Sequence, residues 1–384
     1  MKSRAAMIHG LNQQWAVEEI EVDPPKAAEV LVKWSVAGMC HSDEHLVTGD
    51  LVPPEEVWPL MGIDDFFPII GGHEGAGEVV EVGPGVTTLK VGDHVAASFI
   101  PACGRCRYCS SGRQNLCNSG AGTFLPGMIT DGTSRHRRSS NGKDLSLFAK
   151  LGTFSEYSCV AETQVILVDN DLPLESVALV SCGVATGWGS AVKRAEVQAG
   201  DTVVVVGVGG IGINAVQGAA MAGAKRVIAV DPVEFKREKA MEMGATHTFA
   251  SMTDALAALG ELTWGEMADK VILSPSVLYG DMMAEGTQLA GKGGTIVITA
   301  IAPMTQTESS VNLFEIAMWN KEIKGTIFGS LNPRADIPML LGLYREGQLK
   351  LDELITNRYA LDDINLGYDA MRNGENLRGV IVHS

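Results

Sequence analysis

The chain has 384 residues, of which 46% are hydrophobic, so it is long enough to form two domains that each bury a core. Its formal net charge is −16, and such an acidic surface repels nucleic acid and anionic membranes, which excludes both as expected partners. The N-terminus lacks a signal-type apolar segment, and no window reaches the roughly 18 apolar residues that span a bilayer, so we expect a cytoplasmic protein.

The first part of the chain predicts a domain of short strands. Residues 29–36, 77–83 and 93–98 alternate or run apolar between glycine, proline and aspartate. We therefore expect a β-barrel-like domain over residues 1–182. Residues 119–150 are polar with weak periodicity and predict a surface loop, in which the basic run 135–138 is interpreted as a solvated face rather than a binding patch.

Within this part lies a run of closely spaced cysteines: Cys103, Cys106, Cys109 and Cys117. Thiolates at this spacing converge on one tetrahedral metal ion at about 2.3 Å. Bacterial iron-sulfur motifs begin alike, but there the fourth cysteine follows after about three residues and precedes proline. Since four thiolates leave no open coordination position, the run predicts a structural zinc site rather than a cluster or disulfides.

From about residue 183 the pattern changes to buried strand, glycine turn, helix and buried strand. Residues 202–206 predict the first strand, 214–222 the helix and 226–231 the second strand. Further strands at 270–273 and 294–299 favour a doubly wound parallel sheet over residues 183–327. The tail 328–384 mixes helices with a last strand and is predicted to return to the first domain.

The turn between the first strand and the helix predicts a dinucleotide site, formed by Gly207, Gly209, Gly210, Ile211 and Gly212. Glycines let the backbone approach a pyrophosphate at the helix N-terminus, where free N–H groups converge. Asp231 ends the next strand and would bond the ribose hydroxyl groups. Because a carboxylate there repels a 2′-phosphate, the pattern favours NAD(H) over NADP.

Cys40, His73 and Cys182 offer two thiolates and an imidazole to a second metal ion. Each of them alone is typical of a buried core residue. Together with the other motifs, however, they match a family. The chain resembles the zinc-dependent alcohol dehydrogenases of the medium-chain dehydrogenase/reductase superfamily over essentially its whole length, on Gly38–Asp43, Gly72–Gly77, the cysteine run, Ala185–Ser190 and the dinucleotide turn ending in Asp231.

The resemblance implies a GroES-like β-barrel catalytic domain, a Rossmann domain, two zinc ions per chain and NAD(H). Cys40, His73 and Cys182 would hold the catalytic zinc, with Asp43 orienting His73 and Glu74 lying beneath the metal. Ser42 would take the proton of the alcohol, and His45 would pass it through the ribose to solvent. The implied cofactor contacts are His41, Thr186, Lys236 and Arg378, in addition to the turn and Asp231.

Two departures from the family pattern narrow the resemblance. His41 stands where many relatives carry arginine, and the stretch between Asp43 and His73 is longer than in ordinary members. With the acidic composition and the stretch Thr153–Tyr157, this insertion makes the chain similar to the bacterial nitrosoaniline-dependent alcohol dehydrogenases, in which NAD(H) stays bound and is reoxidised in place by a dye or a redox partner. We therefore expect the 50–70 loop to cover the cofactor.

Three alternatives share the scaffold: a thiol-dependent formaldehyde dehydrogenase, a zinc-free quinone reductase, and a non-catalytic binding protein that would have lost metal ligands. The expected substrate is a medium-to-large apolar or aromatic primary alcohol. The aromatic and sulfur-containing candidates for its pocket are equally typical of a core: Trp58, Phe66, Phe67, Phe99, Met318 and Trp319. The resemblance suggests a homodimer formed through an edge strand near 296–299, or a tetramer.

Overall fold

The chain passes between two structural units after Cys182 and again after Leu331, so residues 1–182 and 332–384 form one unit and 183–331 the other. These units are seen in a computed structural model that describes residues 1–122 and 125–384. The second crossing lies four residues beyond the predicted boundary at 327/328. Phe328–Ser330 stays with the second unit because Gly329 packs closely against residues 185 and 186 of that unit. A Cβ added to Gly329 would lie only 2.7 Å from the carbonyl oxygens of Ala185 and Thr186.

The strands of the described residues, in chain order, are β1 Lys2–Ile8, β2 Ala16–Val22, β3 Glu29–Gly38, β4 Ile69–Ile70, β5 Gly75–Val82, β6 His94–Ala97, β7 His136–Arg138, β8 Ser146–Leu147, β9 Tyr157–Ala161, β10 Val165–Val168, β11 Thr202–Val206, β12 Arg226–Val230, β13 His247–Phe249, β14 Ala268–Leu273, β15 Ala290–Ile298, β16 Glu322–Gly325, β17 Ile355–Tyr359 and β18 Arg378–Val382.

The α-helices are α1 His41–Thr48, α2 Arg107–Ser110, α3 Leu174–Val180, α4 Gly183–Gly189, α5 Gly212–Met221, α6 Glu234–Glu242, α7 Met252–Leu262, α8 Met282–Leu289, α9 Leu313–Met318, α10 Pro333–Arg345 and α11 Ile364–Arg372. Within the described ranges, none of these helices is long and apolar enough to cross a bilayer.

The first unit is built from two sheets. One has the order β7-β2-β1-β4-β8, and the other has the order β10-β6-β5-β3-β18-β17 with β9 paired to β3. Strand β18 joins from the tail and pairs antiparallel with β3, so the C-terminal segment completes this sheet. Cys40 follows β3 and His73 precedes β5 of this sheet, whereas Cys182 follows α3.

The second unit contains a parallel sheet with the order β13-β12-β11-β14-β15-β16. This order, 3-2-1-4-5-6 within the unit, is that of a Rossmann fold, so the predicted fold class is confirmed. The buried valines of β11 explain the continuous apolar run in the sequence. The predicted edge at 296–299 is wrong, however, because β15 is flanked by β14 and β16, which leaves β16 at the edge.

The interpretation of residues 119–150 as a surface loop with a solvated basic run is also wrong for the residues that the structure describes; residues 123 and 124 lie outside them. Strands β7 and β8 form there, and Arg135 is only 1% exposed. Its guanidinium donates two hydrogen bonds to Glu29, at 2.9 and 2.8 Å. Arg137 and Arg138 pair with Asp23 and Glu18, on or next to the neighbouring strand β2, whereas Arg135 reaches Glu29 on β3 of the other sheet.

Candidate active site

Four donor groups converge in the first unit. Cys40 immediately precedes α1, His73 and Glu74 lie between β4 and β5, and Cys182 follows α3. One ligand atom from each of the four residues lies within 4.8 Å of the others, and all four side chains are buried. The structure thus brings together the predicted set Cys40, His73 and Cys182, with the Glu74 carboxylate as a fourth potential donor.

Asp43 orients the imidazole of this cluster. Its Oδ2 accepts a hydrogen bond from His73 Nδ1 at 2.9 Å, and its Oδ1 accepts one from the amide of Gly72 at 2.7 Å. Within the described residues, His73 Nε2 is buried and has no hydrogen-bond partner. With Nδ1 protonated, Nε2 keeps its lone pair, which is the tautomer that a metal ion requires. An unpaired buried nitrogen beside two sulfurs therefore fits a zinc ion.

The charges at the two thiols favour the same conclusion. The hydrogen bond from Cys182 lowers the pKa of the Cys40 thiol, and that contact, with burial, raises the pKa of the Cys182 thiol. The site therefore readily holds one thiolate, but a second one beside it is repelled. A divalent cation removes this conflict because it binds both sulfurs as thiolates.

Glu74 and Arg378 form a buried ion pair beneath the cluster. Burial raises the pKa of Glu74 to about 7, although Arg378 opposes the shift through its positive charge and a hydrogen bond. Arg378 also lies 3.4 Å from the carbonyl oxygen of Met39, and its Nε has no partner in the part of the chain that the structure describes. The predicted contact of Arg378 with the pyrophosphate stays a prediction, but its guanidinium is already engaged by Glu74.

The predicted proton-relay residues lie on α1. Ser42 Oγ is 3.6 Å from Cys40 Sγ, so the hydroxyl group lies next to a sulfur of the candidate metal cluster. His45 lies on the same helix and is only 2% exposed, with its ring centroid 6.4 Å from that of His41. Its Nδ1 is 3.0 Å from Oδ2 of Asp50, a contact that the sequence analysis missed.

Aromatic rings line one side of His73. Phe99 and Phe148 approach it edge to face, with centroids 5.8 and 5.1 Å from the imidazole. Phe99 was among the pocket candidates, whereas Phe148, which lies next to a left-handed Ala149, was not. Trp58 stacks on Phe66 at 5.9 Å within the 50–70 loop. Met318 and Trp319 lie in the second unit at the end of α9, where Trp319 packs under Lys321.

The cysteine lobe forms a separate cluster in which Cys103, Cys106, Cys109 and Cys117 place their sulfurs within 4.8 Å of one another. None of these cysteines forms a disulfide. The amides of Cys109 and Asn118 point at Cys106 and lower its pKa to about 6, which favours the thiolate that a metal ion binds. The lobe is tied to the start of α10, where Asn332 accepts a hydrogen bond from the Gln114 amide at 2.9 Å.

The glycines of the dinucleotide turn have separate roles in the second unit. Gly207 has φ +79°, and a Cβ on Gly212 would lie 1.8 Å from the carbonyl oxygen of Gly207. A Cβ on Gly209 would meet no protein atom within 4 Å, so it would project into open space at the N-terminal end of α5. This open approach to the backbone fits a dinucleotide pyrophosphate. Gly210 and Ile211 complete the turn.

Asp231 follows β12 and is held by two backbone amides. Its Oδ2 accepts from Val208 at 3.0 Å and its Oδ1 from Val233 at 2.9 Å, which leaves further lone pairs for ribose hydroxyl groups. Lys236 lies half-buried on α6. Thr186, on α4, is buried, and its Oγ1 has no hydrogen-bond partner within the described ranges, as expected of a hydroxyl group that faces a cofactor.

Sequence reasoning missed Arg237, whose Nη1 donates to the carbonyl oxygens of Asp231 and Pro232 at 2.8 and 2.9 Å. Its position one residue after Lys236 was the available signal. For Asp50, the signal was a carboxylate directly after Gly49, because a glycine that ends a helix allows the next side chain to fold back.

Comparisons with known proteins agree with this geometry. The chain matches the alcohol dehydrogenase GroES-like domain over residues 26–170 and the zinc-binding dehydrogenase family over residues 210–346. It is 51% identical over 384 residues to an NDMA-dependent alcohol dehydrogenase of Amycolatopsis methanolica, with 100% of each chain covered. It is 46% identical to alcohol dehydrogenase B of Mycobacterium tuberculosis, with 100% of this chain and 99% of that protein covered.

Among solved structures, benzyl alcohol dehydrogenase from Acinetobacter calcoaceticus matches with a TM-score of 0.88 at 29% identity, and 100% of each chain is covered.

Proposed function

We propose that this chain keeps NAD(H) bound throughout turnover. The chain belongs to the zinc-dependent alcohol dehydrogenases of the medium-chain dehydrogenase/reductase superfamily. Its activity is the interconversion of an alcohol and its aldehyde or ketone by hydride transfer. The observation that carries the proposal is the 51% identity, over the full length, to a relative whose name states dependence on NDMA, the nitrosoaniline dye. A bound cofactor of this kind needs a second redox partner to regenerate it.

Two zinc ions per chain fit the two clusters. Cys40, His73 and Cys182 would hold the catalytic ion, and the cysteine lobe would hold the structural one. When bound, the catalytic zinc lowers the pKa of a coordinated hydroxyl group. The protein's own contribution is to fix the donors: Asp43 holds the imidazole tautomer, and burial excludes water from the cluster.

Ser42 and His45 would move the proton that the alcohol loses. Ser42 Oγ lies beside Cys40 Sγ, where it can receive a proton from a substrate hydroxyl group. His45 would carry the proton toward solvent, since an imidazole ring nitrogen can take up a proton and release it again. Asp43 and Glu74 would act by position and charge: the first orients His73, and the second balances the charge of Arg378.

The cofactor would lie on the glycine turn, with its ribose at Asp231 and its nicotinamide near Thr186. Asp231 favours NAD(H) because its carboxylate repels the 2′-phosphate of NADP. His41, Lys236 and Arg378 are the proposed cationic or polar contacts to its phosphates and ribose. Arg237 now joins this group because its guanidinium lies at the end of β12.

The 50–70 loop is the proposed cover of the cofactor. It is held in place by the Trp58–Phe66 stack, by a hydrogen bond of 2.8 Å from Trp58 Nε1 to the carbonyl oxygen of Pro53, and by Ile63 and Phe66 in the core cluster that also contains Leu46. Such packing keeps the loop in one conformation, as retention of a cofactor requires.

The first test is an absorbance and fluorescence spectrum after exhaustive buffer exchange. Retention predicts a persistent, stoichiometric reduced-nicotinamide signal, whereas a bare protein spectrum would show that NAD(H) exchanges freely. Trp58→Ala, which breaks the aromatic stack, should release the cofactor. Leu60→Ala is the matched control, since Leu60 lies in the same loop but is 87% exposed. Deletion of the loop with full retention would disprove its role as a cover.

The proposed substrate is an apolar or aromatic primary alcohol. Phe99 and Phe148 offer their rings beside His73, and a structural relative is named for benzyl alcohol. Benzyl alcohol should give a higher kcat/KM than ethanol. The thiol-dependent formaldehyde dehydrogenase alternative requires a site for an anionic thiol conjugate, and the arginines at 135, 137 and 138 do not offer one, because they are paired with carboxylates.

The assembly and location are further proposals. A homodimer through the β16 edge of the parallel sheet is favoured because Ile323, on β16, and Ile327, just beyond it, are partly exposed apolar side chains. Light scattering of Ile323→Lys should then show a smaller particle than the unchanged protein. We propose a cytoplasmic location, in keeping with seven cysteines that form no disulfide bonds.

A further inference from the structure

A carboxylate lies behind the relay histidine. Asp50 Oδ2 is 3.0 Å from His45 Nδ1 and accepts a second hydrogen bond from Thr48 Oγ1 at 2.6 Å. The His45 side chain is 3% exposed and that of Asp50 is 18% exposed. The pair therefore reaches from a buried position on α1 toward the protein surface.

The backbone holds this pair in place on both sides. Gly49 ends α1 in the left-handed region with φ +92°, which turns the chain back so that the next side chain faces the helix. The amides of Gly49 and Leu51 both donate to the carbonyl oxygen of His45, each at 3.1 Å. Asp50 is thus fixed between two residues that are anchored to His45 itself.

The charge of Asp50 suits it to accept a hydrogen bond from the Nδ1–H group of His45. Burial would raise the pKa of its carboxyl group, but hydrogen bonds from Thr48 and His45 outweigh this effect and hold the pKa below its usual value. An ionised carboxylate can only accept, so Nδ1 of the neutral imidazole carries the hydrogen and Nε2 keeps its lone pair. Nε2 is then the nitrogen that takes up a proton.

We propose that Asp50 is the positioning residue of His45, fixing its ring and tautomer and stabilising the imidazolium that forms when Nε2 takes a proton during alcohol oxidation. The inference rests on the relay role of His45 in the proposed function. One proton enters at Nε2 and leaves for water in each turnover, while the hydrogen on Nδ1 stays on His45 and remains hydrogen-bonded to Asp50. The same arrangement of carboxylate and imidazole supports general bases in other enzymes.

The other charged groups around this helix have separate partners. The side chain of Glu44 pairs with Arg372 at 2.7 Å, so that carboxylate is directed to α11. The His41 ring lies 6.4 Å from that of His45. Asp50 is the carboxylate that faces His45 in the contacts of the described residues.

A double-mutant cycle tests the proposal on the holoenzyme, with steady-state oxidation of benzyl alcohol and a nitrosoaniline dye as the acceptor. Asp50→Asn keeps the shape of the side chain but no longer requires the hydrogen on Nδ1. We expect it to lower kcat by about 10-fold to 100-fold, a part of the roughly 100-fold to 10,000-fold that a general base contributes. KM, zinc content and bound nicotinamide should stay close to their original values. Asp50→Ser replaces it if the amide variant fails to fold.

The decisive comparison is with His45→Gln. A positioning role predicts that Asp50→Asn causes no further loss of kcat in the His45→Gln background, because the group it acts on is absent. Equal losses in both backgrounds would overturn the proposal and indicate a purely structural residue. An unchanged kcat in Asp50→Asn with a lowered kcat in His45→Gln would overturn it too, while leaving the proposed function intact. If His45→Gln itself keeps full kcat, the relay of the proposed function fails.

Two controls separate local geometry from charge. Thr48→Val removes the other hydrogen bond to Asp50 and should lower kcat by less than about threefold, because the His45 contact remains. Asp171→Asn makes the same carboxylate-to-amide change in an exposed pair with Arg345, and should leave kcat unchanged. A Thr48→Val loss as large as that of Asp50→Asn would assign the effect to the helix end and contradict the proposal.

Discussion

The two candidate metal clusters differ in how they are built and in what surrounds them. The cysteine lobe takes its four sulfurs from residues 103–117, two of them half-exposed, and its nearest polar neighbours are backbone amides. The buried cluster draws Cys40, His73 and Cys182 from distant segments. It also has carboxylates beside it, from Asp43 and Glu74.

The difference is the one expected between a structural metal site and a reactive one. A donor set of four thiolates is complete, so it can only hold a loop in place. The buried cluster combines an imidazole, two thiols and an ion pair whose carboxyl group has its pKa raised to about 7. Side chains with shifted pKa values, gathered in a buried position, are typical of a catalytic centre. The two clusters should therefore respond differently to substitution, and a titrating group outside both should affect stability alone.

The largest expected effect is the removal of a ligand from the buried cluster. Cys182→Ala should lower kcat by at least about 1,000-fold, because zinc supplies several kcal/mol of charge stabilisation. Elemental analysis should show the loss of one zinc ion per chain. Cys159→Ala is the control, since Cys159 is buried but lies outside both clusters. Full activity of Cys182→Ala would remove the basis for calling this cluster catalytic.

Loss of the hydroxyl group beside the cluster should have the next largest effect. Ser42→Ala is expected to lower kcat by about 100-fold or more, because it removes the first acceptor of the substrate proton. Binding of NAD(H), measured by the retained nicotinamide signal, should change little. A parallel loss of cofactor and turnover would count against a relay role and favour a structural one.

A ligand change in the cysteine lobe should affect stability instead of chemistry. Cys106→Ser is expected to release one zinc ion and lower the Tm by roughly 5 to 10 °C, as metal binding contributes directly to folding. Below the new Tm, kcat per folded molecule should stay close to its original value. Calorimetry with zinc analysis provides the measurement, and a kcat loss as large as that of Cys182→Ala would erase the distinction between the clusters.

The smallest expected effect is a decrease in the free energy of unfolding at acid pH, to which neither cluster contributes. Burial lowers the pKa of His136 to about 3, and its Nε2 accepts a hydrogen bond from the Cys159 amide at 3.2 Å. The unfolded chain takes up a proton at its ordinary pKa of about 6.5, so the stabilisation is complete above that pH and is lost as pH falls toward about 3. Between pH 8 and pH 5, this group should lower the free energy of unfolding by about 2 kcal/mol.

Denaturant unfolding of His136→Gln at several pH values isolates this contribution. The variant should have a smaller decrease in the free energy of unfolding between pH 8 and pH 5 than the unchanged chain. Identical pH dependence in both proteins would show that His136 does not titrate between the folded and unfolded states.

Much of the fold could be predicted from local patterns, whereas the surroundings of the site could not. The valine run of β11, the glycines after it and Asp231 predicted the parallel sheet and its nucleotide turn, because period and turn chemistry act over a few residues. The basic run at 135–138 was misjudged for the opposite reason. The charge of the run suggested that its side chains face solvent. Arg135 is instead buried and paired with Glu29, which lies more than a hundred residues away in the chain.

The sequence by itself determined the cysteine lobe, the glycine turn and the family, since each depends on residue types at short and definite spacings. Only the tertiary structure decided that Asp50 faces His45, that Arg378 pairs with Glu74, and that β16 rather than β15 lies at the sheet edge. The physical reason is that these contacts depend on how strands and helix ends pack against each other. Such packing joins residues far apart in the chain and leaves no periodic pattern in the sequence.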